Sequence, residues 1–202
     1  GRRTPIRVAP PRRPDAPPAP VDVIAIGAST GGPNALTALL AALPKTLSCP
    51  VVIVQHMPPI FTRLFAERLT TVSPLTVAEA RGGEVLHPGH AYVAPGDYHL
   101  RVVREGALVR LATDQAPPEN SCRPAADVLF RSIVQVYGPR VLGLVLTGMG
   151  QDGLRGCELI KTAGGQVVVQ DERSSVVWGM PGIVARSGLA DAILPLPEIA
   201  QE

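Results

Sequence analysis

Short, mostly apolar runs alternate along this chain with stretches whose apolar residues recur every three or four positions. The mostly apolar runs are 21–26, 51–54, 141–146 and 167–170. Runs of this length, rich in valine and isoleucine, are typical of strands buried on both faces of a parallel sheet. The periodic stretches predict helices over 34–43, 61–69, 125–137, 154–163 and, more briefly, 182–187. Strands alternating with helices predict an α/β fold with a doubly wound, mostly parallel sheet and helices on both faces.

The pattern changes between residues 75 and 111, where four short strand-like runs are separated by glycine-containing turns. These runs are 75–80, 90–94, 99–104 and 107–111. The dipeptide Glu105-Gly106 predicts a tight hairpin between the last two. We expect this section to be α/β with an antiparallel hairpin excursion from the main sheet.

The first 20 residues contain seven prolines and five arginines and almost nothing to bury. They predict a Pro/Arg-rich linker or tail over 1–20, followed by one domain over 21–202. The arginines and Asp15 give the tail a charge of +4, so a chain of net charge +2 leaves −2 for residues 21–202. Residues 21–202 thus carry no surplus of basic residues, and aromatic residues make up only 3% of the chain. Both observations argue against a nucleic-acid partner.

Three cysteines, Cys49, Cys122 and Cys157, are widely spaced and form no C-x-x-C pair. This count favours neither a disulfide framework nor a zinc site. No apolar run approaches the roughly 18 residues of a membrane helix, and the first residues lack the apolar core of a signal peptide. We therefore expect a cytoplasmic protein with reduced thiols and no membrane insertion.

The first apolar run leads directly into Gly27-x-Ser29-x-Gly31, with Pro33 placed for the first turn of a helix. This pattern is typical of a nucleophile elbow, which holds a serine hydroxyl clear of its backbone. Two alternatives remain for the motif alone. Glycine-rich turns of this kind also cradle phosphates, and Ser29 is placed to cap the helix that follows.

Two further reactive residues follow predicted parallel strands: His56 after the run 51–54 and Asp152 after the run 141–146. The carboxyl ends of parallel strands share one edge of the sheet, so we expect Ser29, His56 and Asp152 to converge. A histidine can activate a serine hydroxyl, and a carboxylate can orient that histidine. Taken singly, His56 also suits a structural role and Asp152 a helix cap. The order Ser, His, Asp differs from that of the α/β-hydrolases.

Other candidate sites carry weaker signals. A metal site from His87, His90 and Asp97 is conceivable, but its spacing matches no strong pattern. Cys157 lies within a helical pattern and is expected in the core. Cys122 lies in a polar loop and is expected to be accessible.

Five motifs together resemble the catalytic domain of the CheB family, the bacterial chemotaxis receptor methylesterases. They are 27–32 (GASTGG), 55–58 (QHMP), 92–97 (YVAPGD), 146–153 (LTGMGQDG) and 178–181 (WGMP). The resemblance spans about residues 21–198 and preserves the order of the motifs. It implies a serine hydrolase that converts glutamyl methyl esters on receptor helices to glutamate and methanol, and in many members deamidates glutamines. It implies a triad of Ser29, His56 and Asp152, active-site support from Thr30 and Met149, and no metal or organic cofactor.

The same resemblance implies two partners. One is the methylated cytoplasmic domain of a chemoreceptor, and the other is a receiver domain that precedes the linker and whose phosphorylation relieves inhibition. The chain departs from the family pattern in the loop 120–127, where Cys122 stands in place of a usual histidine and Ala125 lies near a usual serine. Two other functions stay open: the same chemistry in a non-flagellar sensory pathway, and a phosphate- or nucleotide-binding regulatory module without chemistry.

Overall fold

Seven strands pair side by side, every pair parallel, to form the main sheet in the order β3-β4-β2-β1-β7-β8-β9. The computed structural model describes residues 19–201. The strands in chain order are β1 (Val23–Ala28), β2 (Val51–Gln55), β3 (Thr76–Glu79), β4 (His90–Val93), β5 (His99–Glu105), β6 (Leu108–Asp114), β7 (Val141–Val145), β8 (Gln166–Gln170) and β9 (Ala192–Leu194). The doubly wound, mostly parallel sheet predicted from the sequence is confirmed.

Helices cover both faces of this sheet. They are α1 (Gly32–Ala42), α2 (Phe61–Val72), α3 (Ala126–Tyr137), α4 (Leu154–Thr162), α5 (Met180–Arg186) and α6 (Leu196–Ile199). Alternate residues of each central strand point to opposite faces: Val23 and Ala25 join one apolar cluster, Ile24 and Ile26 the other. The first cluster lies under α3, α4 and α5, and the second under α1, α2 and α6. Burial on both faces explains the mostly apolar runs in the sequence.

The antiparallel hairpin predicted around Glu105-Gly106 is confirmed. Among the strands of residues 19–201, only β5 and β6 pair in the antiparallel sense, and they form a separate two-stranded sheet. The two runs before the hairpin, β3 and β4, extend the parallel sheet beyond β2. Val85, in the connection between β3 and β4, bridges to Arg110 of the hairpin. Glycine turns signalled the breaks between these strands but not their partners.

Element boundaries also differ in detail. The first strand was expected to end at residue 26, but β1 continues through Gly27 and Ala28, which pair with Val54 and Gln55 of β2. The short β9 and α6 were not predicted, because segments of three and four residues carry too little periodicity. The predicted tail, 1–20, lies outside the described residues except for residues 19 and 20. Among residues 19–201 no helix has the length and apolar character to cross a membrane.

The winding direction reverses beside β1. The chain runs from β1 through α1 to β2 on one side, whereas β7 and β8 lie on the other side of β1. Such a reversal leaves a crevice at the carboxyl ends of the strands, because the flanking helices lie on opposite faces. Ser29 follows β1 and the loop with Asp152 follows β7, so both lie at this reversal.

Candidate active site

Ser29 lies in a sharp turn between β1 and α1. Its N–H donates to Thr147 O at 3.0 Å, and its carbonyl accepts the N–H of Gly32 at 2.8 Å. Gly31 makes the turn possible with φ of +82°, and a Cβ there would lie 2.6 Å from Val176 Cβ. Within residues 19–201 the Ser29 hydroxyl makes no hydrogen bond, and Gly31 rather than Ser29 is the N-cap residue of α1. The capping alternative for Ser29 is therefore wrong, and the hydroxyl is free to react.

His56 lies at the end of β2, next to β1. Its N–H donates to Ala28 O at 3.1 Å, so the two strand ends stay paired up to the site. On its side chain, Nε2 lies 2.8 Å from Asp152 Oδ2. The other ring nitrogen, Nδ1, lies 3.6 Å from Cys122 Sγ. The structure therefore joins His56 to Asp152 directly and leaves Nδ1 as the nitrogen with which a serine hydroxyl can exchange a proton.

Asp152 is buried, with only 1% of its surface exposed, and its carboxylate accepts several backbone hydrogen bonds. Ala126 N donates to Oδ2 at 2.6 Å, while Asp127 N and Gly153 N donate to Oδ1 at 3.0 and 3.1 Å. Ala126 and Asp127 form the first turn of α3, where the helix dipole is positive. Asp152 does cap a helix, as the structural alternative proposed, but mainly α3 rather than the helix that follows it. The same contacts hold the carboxylate against His56.

The charges of His56 and Asp152 depend on two opposing effects, burial and hydrogen bonding. Burial alone would lower the pKa of His56, but the hydrogen bonds to Asp152 and Cys122 outweigh it and raise the pKa to about 9. Burial opposes ionisation of Asp152, but hydrogen bonds from His56 and the α3 backbone lower its pKa below the usual value. Both shifts favour an imidazolium beside a carboxylate in the free protein.

Asn120 is a member of the site that the sequence did not reveal. Its Nδ2 donates to Asp152 Oδ1 at 2.9 Å and to Asp127 Oδ2 at 2.8 Å, and so separates two buried carboxylates. Asn120 adopts φ of +52°, a conformation that asparagine tolerates better than most residues. The loop 120–127 drew notice only as a departure from the family pattern, and nothing in its spacing indicated that Asn120 would touch Asp152.

Gln55 is a second residue that the sequence did not single out. Its buried side chain donates from Nε2 to Ser29 O at 3.0 Å and to His56 O at 3.1 Å. These bonds tie the loop after β1 to the loop after β2. Gln55 therefore fixes the backbone positions from which Ser29 and His56 project.

Thr30 and Met149, expected as support residues, flank Ser29. Thr30 O lies 2.9 Å from Thr147 Oγ1, and the side chain of Met149 is 72% exposed. Gly148, just before Met149, packs so closely that a Cβ on it would lie 2.8 Å from Ser29 Cβ. Within residues 19–201 neither the Thr30 N–H nor the Met149 N–H donates a hydrogen bond. Both donors are thus available to a ligand beside Ser29.

Within residues 19–201, the candidate metal ligands His87, His90 and Asp97 are not among the residues that hydrogen-bond to Ser29, His56 or Asp152. His87 and His90 lie near Tyr92, while Asp97 accepts from Arg123 Nε at 3.0 Å. No cluster of three or more potential metal ligands occurs in the described part of the chain. Cys157 is fully buried, as expected, and Cys122 is half-buried.

Comparison with known proteins identifies the family. The sequence model described as CheB methylesterase matches residues 24–202. This chain belongs to the CheB methylesterase family. The crystal structure of the Thermotoga maritima CheB methylesterase catalytic domain superposes with a TM-score of 0.88 at 40% identity, covering 91% of this chain and 97% of that one. The fold of this chain, with its sheet order and separate hairpin, thus matches that of a CheB catalytic domain.

Curated CheB relatives carry the name "Protein-glutamate methylesterase/protein-glutamine glutaminase". The relative from Trichodesmium erythraeum is 58% identical over 182 residues, which are 90% of this chain and 52% of that protein. The relative from a Nocardioides species is 57% identical over 180 residues, 89% of this chain and 49% of that protein. The chain therefore spans about half the length of these relatives.

Proposed function

We propose that this chain is a serine esterase that hydrolyses glutamyl methyl esters on the cytoplasmic helices of chemoreceptors. Ser29 is the nucleophile, His56 the general base and then acid, and Asp152 the group that orients His56. One observation carries the proposal: the His56–Asp152 pair, at 2.8 Å, stands beside a serine whose hydroxyl has no partner within residues 19–201. The names of the curated relatives support the same activity.

The reaction proceeds in two halves. Ser29 Oγ attacks the ester carbonyl while His56 Nδ1 takes its proton, and the acyl-enzyme forms as methanol leaves with that proton. Water then attacks the acyl-enzyme, His56 again acts as base, and glutamate is released. Nδ1 is the acting nitrogen because Nε2 is engaged with Asp152. The Ser29 hydroxyl comes within reach of Nδ1 when the substrate binds, since catalytic hydrogen bonds are often long in a free enzyme.

The developing oxyanion needs donors that are already in place. We assign this role to the backbone N–H groups of Thr30 and Met149, which have no acceptor in the described part of the chain. Donors of this kind typically contribute a few kcal/mol to transition-state stabilisation. The same attack on a glutamine amide releases ammonia instead of methanol, so the proposal extends to deamidation.

The partners follow from the same proposal. The substrate is the methylated cytoplasmic domain of a chemoreceptor, and the reaction takes place in the cytoplasm. A receiver domain accompanies the esterase domain in the whole protein, which agrees with curated relatives about twice as long as the matched region. Acyl transfer to water needs no metal or organic cofactor in this scheme, since nucleophile, base and oxyanion donors all come from the chain.

Replacing Ser29→Ala tests the proposal. Methanol release from radiolabelled methylated receptor is expected to fall by at least about 1,000-fold, because the nucleophile is lost. Ser187→Ala is the matched control: Ser187 is exposed at the end of α5 and its hydroxyl donates to Ile183 O, so the rate of this variant stays within about twofold of the wild type. A Ser29→Ala variant that folds and keeps the wild-type rate would remove Ser29 as the nucleophile.

A serine-directed phosphonate separates hydrolysis from the phosphate-binding alternative. We expect one covalent adduct on Ser29 in the wild type and none in Ser29→Ala, because the phosphonate needs an activated hydroxyl. A module that only cradles phosphate would bind the reagent without forming a bond.

A further inference from the structure

The thiol of Cys122 lies at the working nitrogen of the site. Its Sγ is 3.6 Å from His56 Nδ1, and 3.4 Å from Asn120 O. Nδ1 is the nitrogen that Ser29 must reach in the esterase reaction, because Nε2 is held by Asp152. Cys122, His56 and Asp152 thus form a second series of nucleophile, imidazole and carboxylate. The proposed esterase reaction does not use the thiol of Cys122.

We propose that Cys122 is a modification site at which hydrogen peroxide reversibly inactivates the esterase. Oxidation to the sulfenic acid places an oxygen between Sγ and the ring of His56. That oxygen occupies the approach to Nδ1, so Ser29 can no longer deliver its proton there. This inference rests on the proposed function, in which Ser29 and His56 share a proton.

The chemistry uses groups that are present. In the molecules whose His56 is neutral, Nδ1 accepts the thiol proton, the thiolate sulfur attacks one peroxide oxygen, and an S–O bond forms as the O–O bond breaks. The departing hydroxide takes the proton from His56 and leaves as water, so one thiol and one peroxide give one sulfenic acid and one water. Dithiothreitol reverses the step: one of its thiols attacks the sulfenic acid sulfur, displaces water and forms a mixed disulfide. Its second thiol then attacks that disulfide, which releases Cys122 as a free thiol and leaves dithiothreitol as a cyclic disulfide.

Accessibility makes Cys122 the selective target. Cys49 is 4% exposed and Cys157 is fully buried, whereas Cys122 is half-buried in a loop at the site. Burial raises the pKa of Cys49 to about 11 and raises that of Cys157 further, which suppresses their thiolates. Only the thiol beside His56 combines solvent access with a neighbouring base.

The test treats the whole chain with hydrogen peroxide and follows two independent readouts. Trapping with a sulfenate-specific dimedone reagent and mass spectrometry reports which cysteine is modified. Methanol release from methylated receptor reports activity, before and after dithiothreitol. We expect the adduct on Cys122 alone, a loss of rate by at least about 100-fold in fully modified protein because its base is blocked, and recovery on reduction.

Two variants distinguish Cys122 from other oxidisable residues. Cys122→Ser, whatever its basal rate, is expected to keep that rate after peroxide, although exposed Met149 remains open to oxidation. Cys49→Ala is expected to lose activity on treatment as the wild type does. Loss of activity in treated Cys122→Ser, or Cys122 that stays a free thiol, would overturn the proposal.

The two readouts also separate this proposal from the esterase assignment. If Cys122 is oxidised but the rate is unchanged, the proposed oxidative inactivation is wrong while the esterase assignment stands. If untreated protein releases no methanol and takes no phosphonate on Ser29, the esterase assignment fails, and the proposed inactivation fails with it.

Discussion

His56 is the residue on which the chemistry of the site converges, because each of its ring nitrogens faces a different side chain. Asp152 fixes Nε2 at 2.8 Å, and this choice leaves Nδ1 for proton transfer. Asp152 can do so while buried because the first turn of α3 and the amide of Asn120 satisfy its oxygens. The arrangement holds the imidazole in one orientation before any substrate arrives, which is the usual role of the carboxylate in a triad.

The pH dependence of the reaction follows from the pKa of His56. In the proposed reaction His56 is the general base and must be neutral, and hydrogen bonds to Asp152 and Cys122 raise the pKa of His56 to about 9. The rate constant kcat/KM is therefore expected to rise with pH through that value rather than near the usual value of about 6.5. The measurement is methanol release across the pH range, with Ser29→Ala as the blank for spontaneous hydrolysis.

Asp152→Asn tests the cause of that shift. Loss of the carboxylate is expected to move the midpoint of the pH profile to lower pH and to lower its plateau by about 10³- to 10⁴-fold. A structural defect alone would lower the plateau without moving the midpoint. A variant whose midpoint stays at the wild-type pH would show that Asp152 does not set the charge of His56.

At the scale of elements, the contact between α3 and α4 holds Asp152 in place. Gly156 of α4 donates its N–H to Asp127 Oδ1 at 2.6 Å, so the second helix is pinned to the first. The two helices approach closely at this point, since a Cβ on Gly156 would lie 2.4 Å from Phe130 Cβ. The loop with Asp152 leads into α4, so this packing fixes the distance between the loop and the first turn of α3.

Gly156→Ala tests this packing. Alanine favours a helix by about 1 kcal/mol over glycine, but the clash with Phe130 is expected to outweigh that gain and leave a net loss of about 1–2 kcal/mol in unfolding free energy. The measurement is urea unfolding followed by circular dichroism. A Gly156→Ala variant that is as stable as the wild type would contradict a direct clash with Phe130.

At the scale of the whole molecule, the reversal of winding beside β1 creates the site. Ser29 comes from the central strand, His56 from one neighbour, and Asp152 from the loop after the other neighbour. No single element contains two of these residues, so the site forms only when the sheet is complete. The apolar clusters on both faces of the sheet therefore stabilise the fold and position the chemistry at once.

The domain boundary gives a test at this scale. We expect residues 21–202 to unfold at the same urea concentration as the whole chain and to hydrolyse ester at the same kcat/KM. The reason is that Asp22 N already pairs with Arg140 O at 2.9 Å, whereas residues 19 and 20 contribute only a long 3.5 Å contact from Gln166 to Ala19 O. A chain that begins at residue 26 is the contrasting control, because it lacks half of the central strand and is expected not to fold.

The sequence by itself determined the longer strands and helices, their alternation, and the three strand ends at which Ser29, His56 and Asp152 lie. These features depend on local patterns of burial and turn formation, which neighbouring residues encode. It also placed Thr30 and Met149 beside the elbow, although their proposed role as donors stays a prediction.

Only the tertiary structure decided which groups meet across long separations. The parallel pairing of β3 and β4, the capping of α3 by Asp152, the bridge from Asn120 to two carboxylates and the contact of Cys122 with His56 all join residues from separate loops or strands. Such contacts depend on how the layers pack and on which buried donors and acceptors need partners, and no local period in the chain records either. The position of His56 at the end of β2 therefore follows from the local sequence, whereas its contacts with Asp152 and Cys122 follow from the tertiary structure.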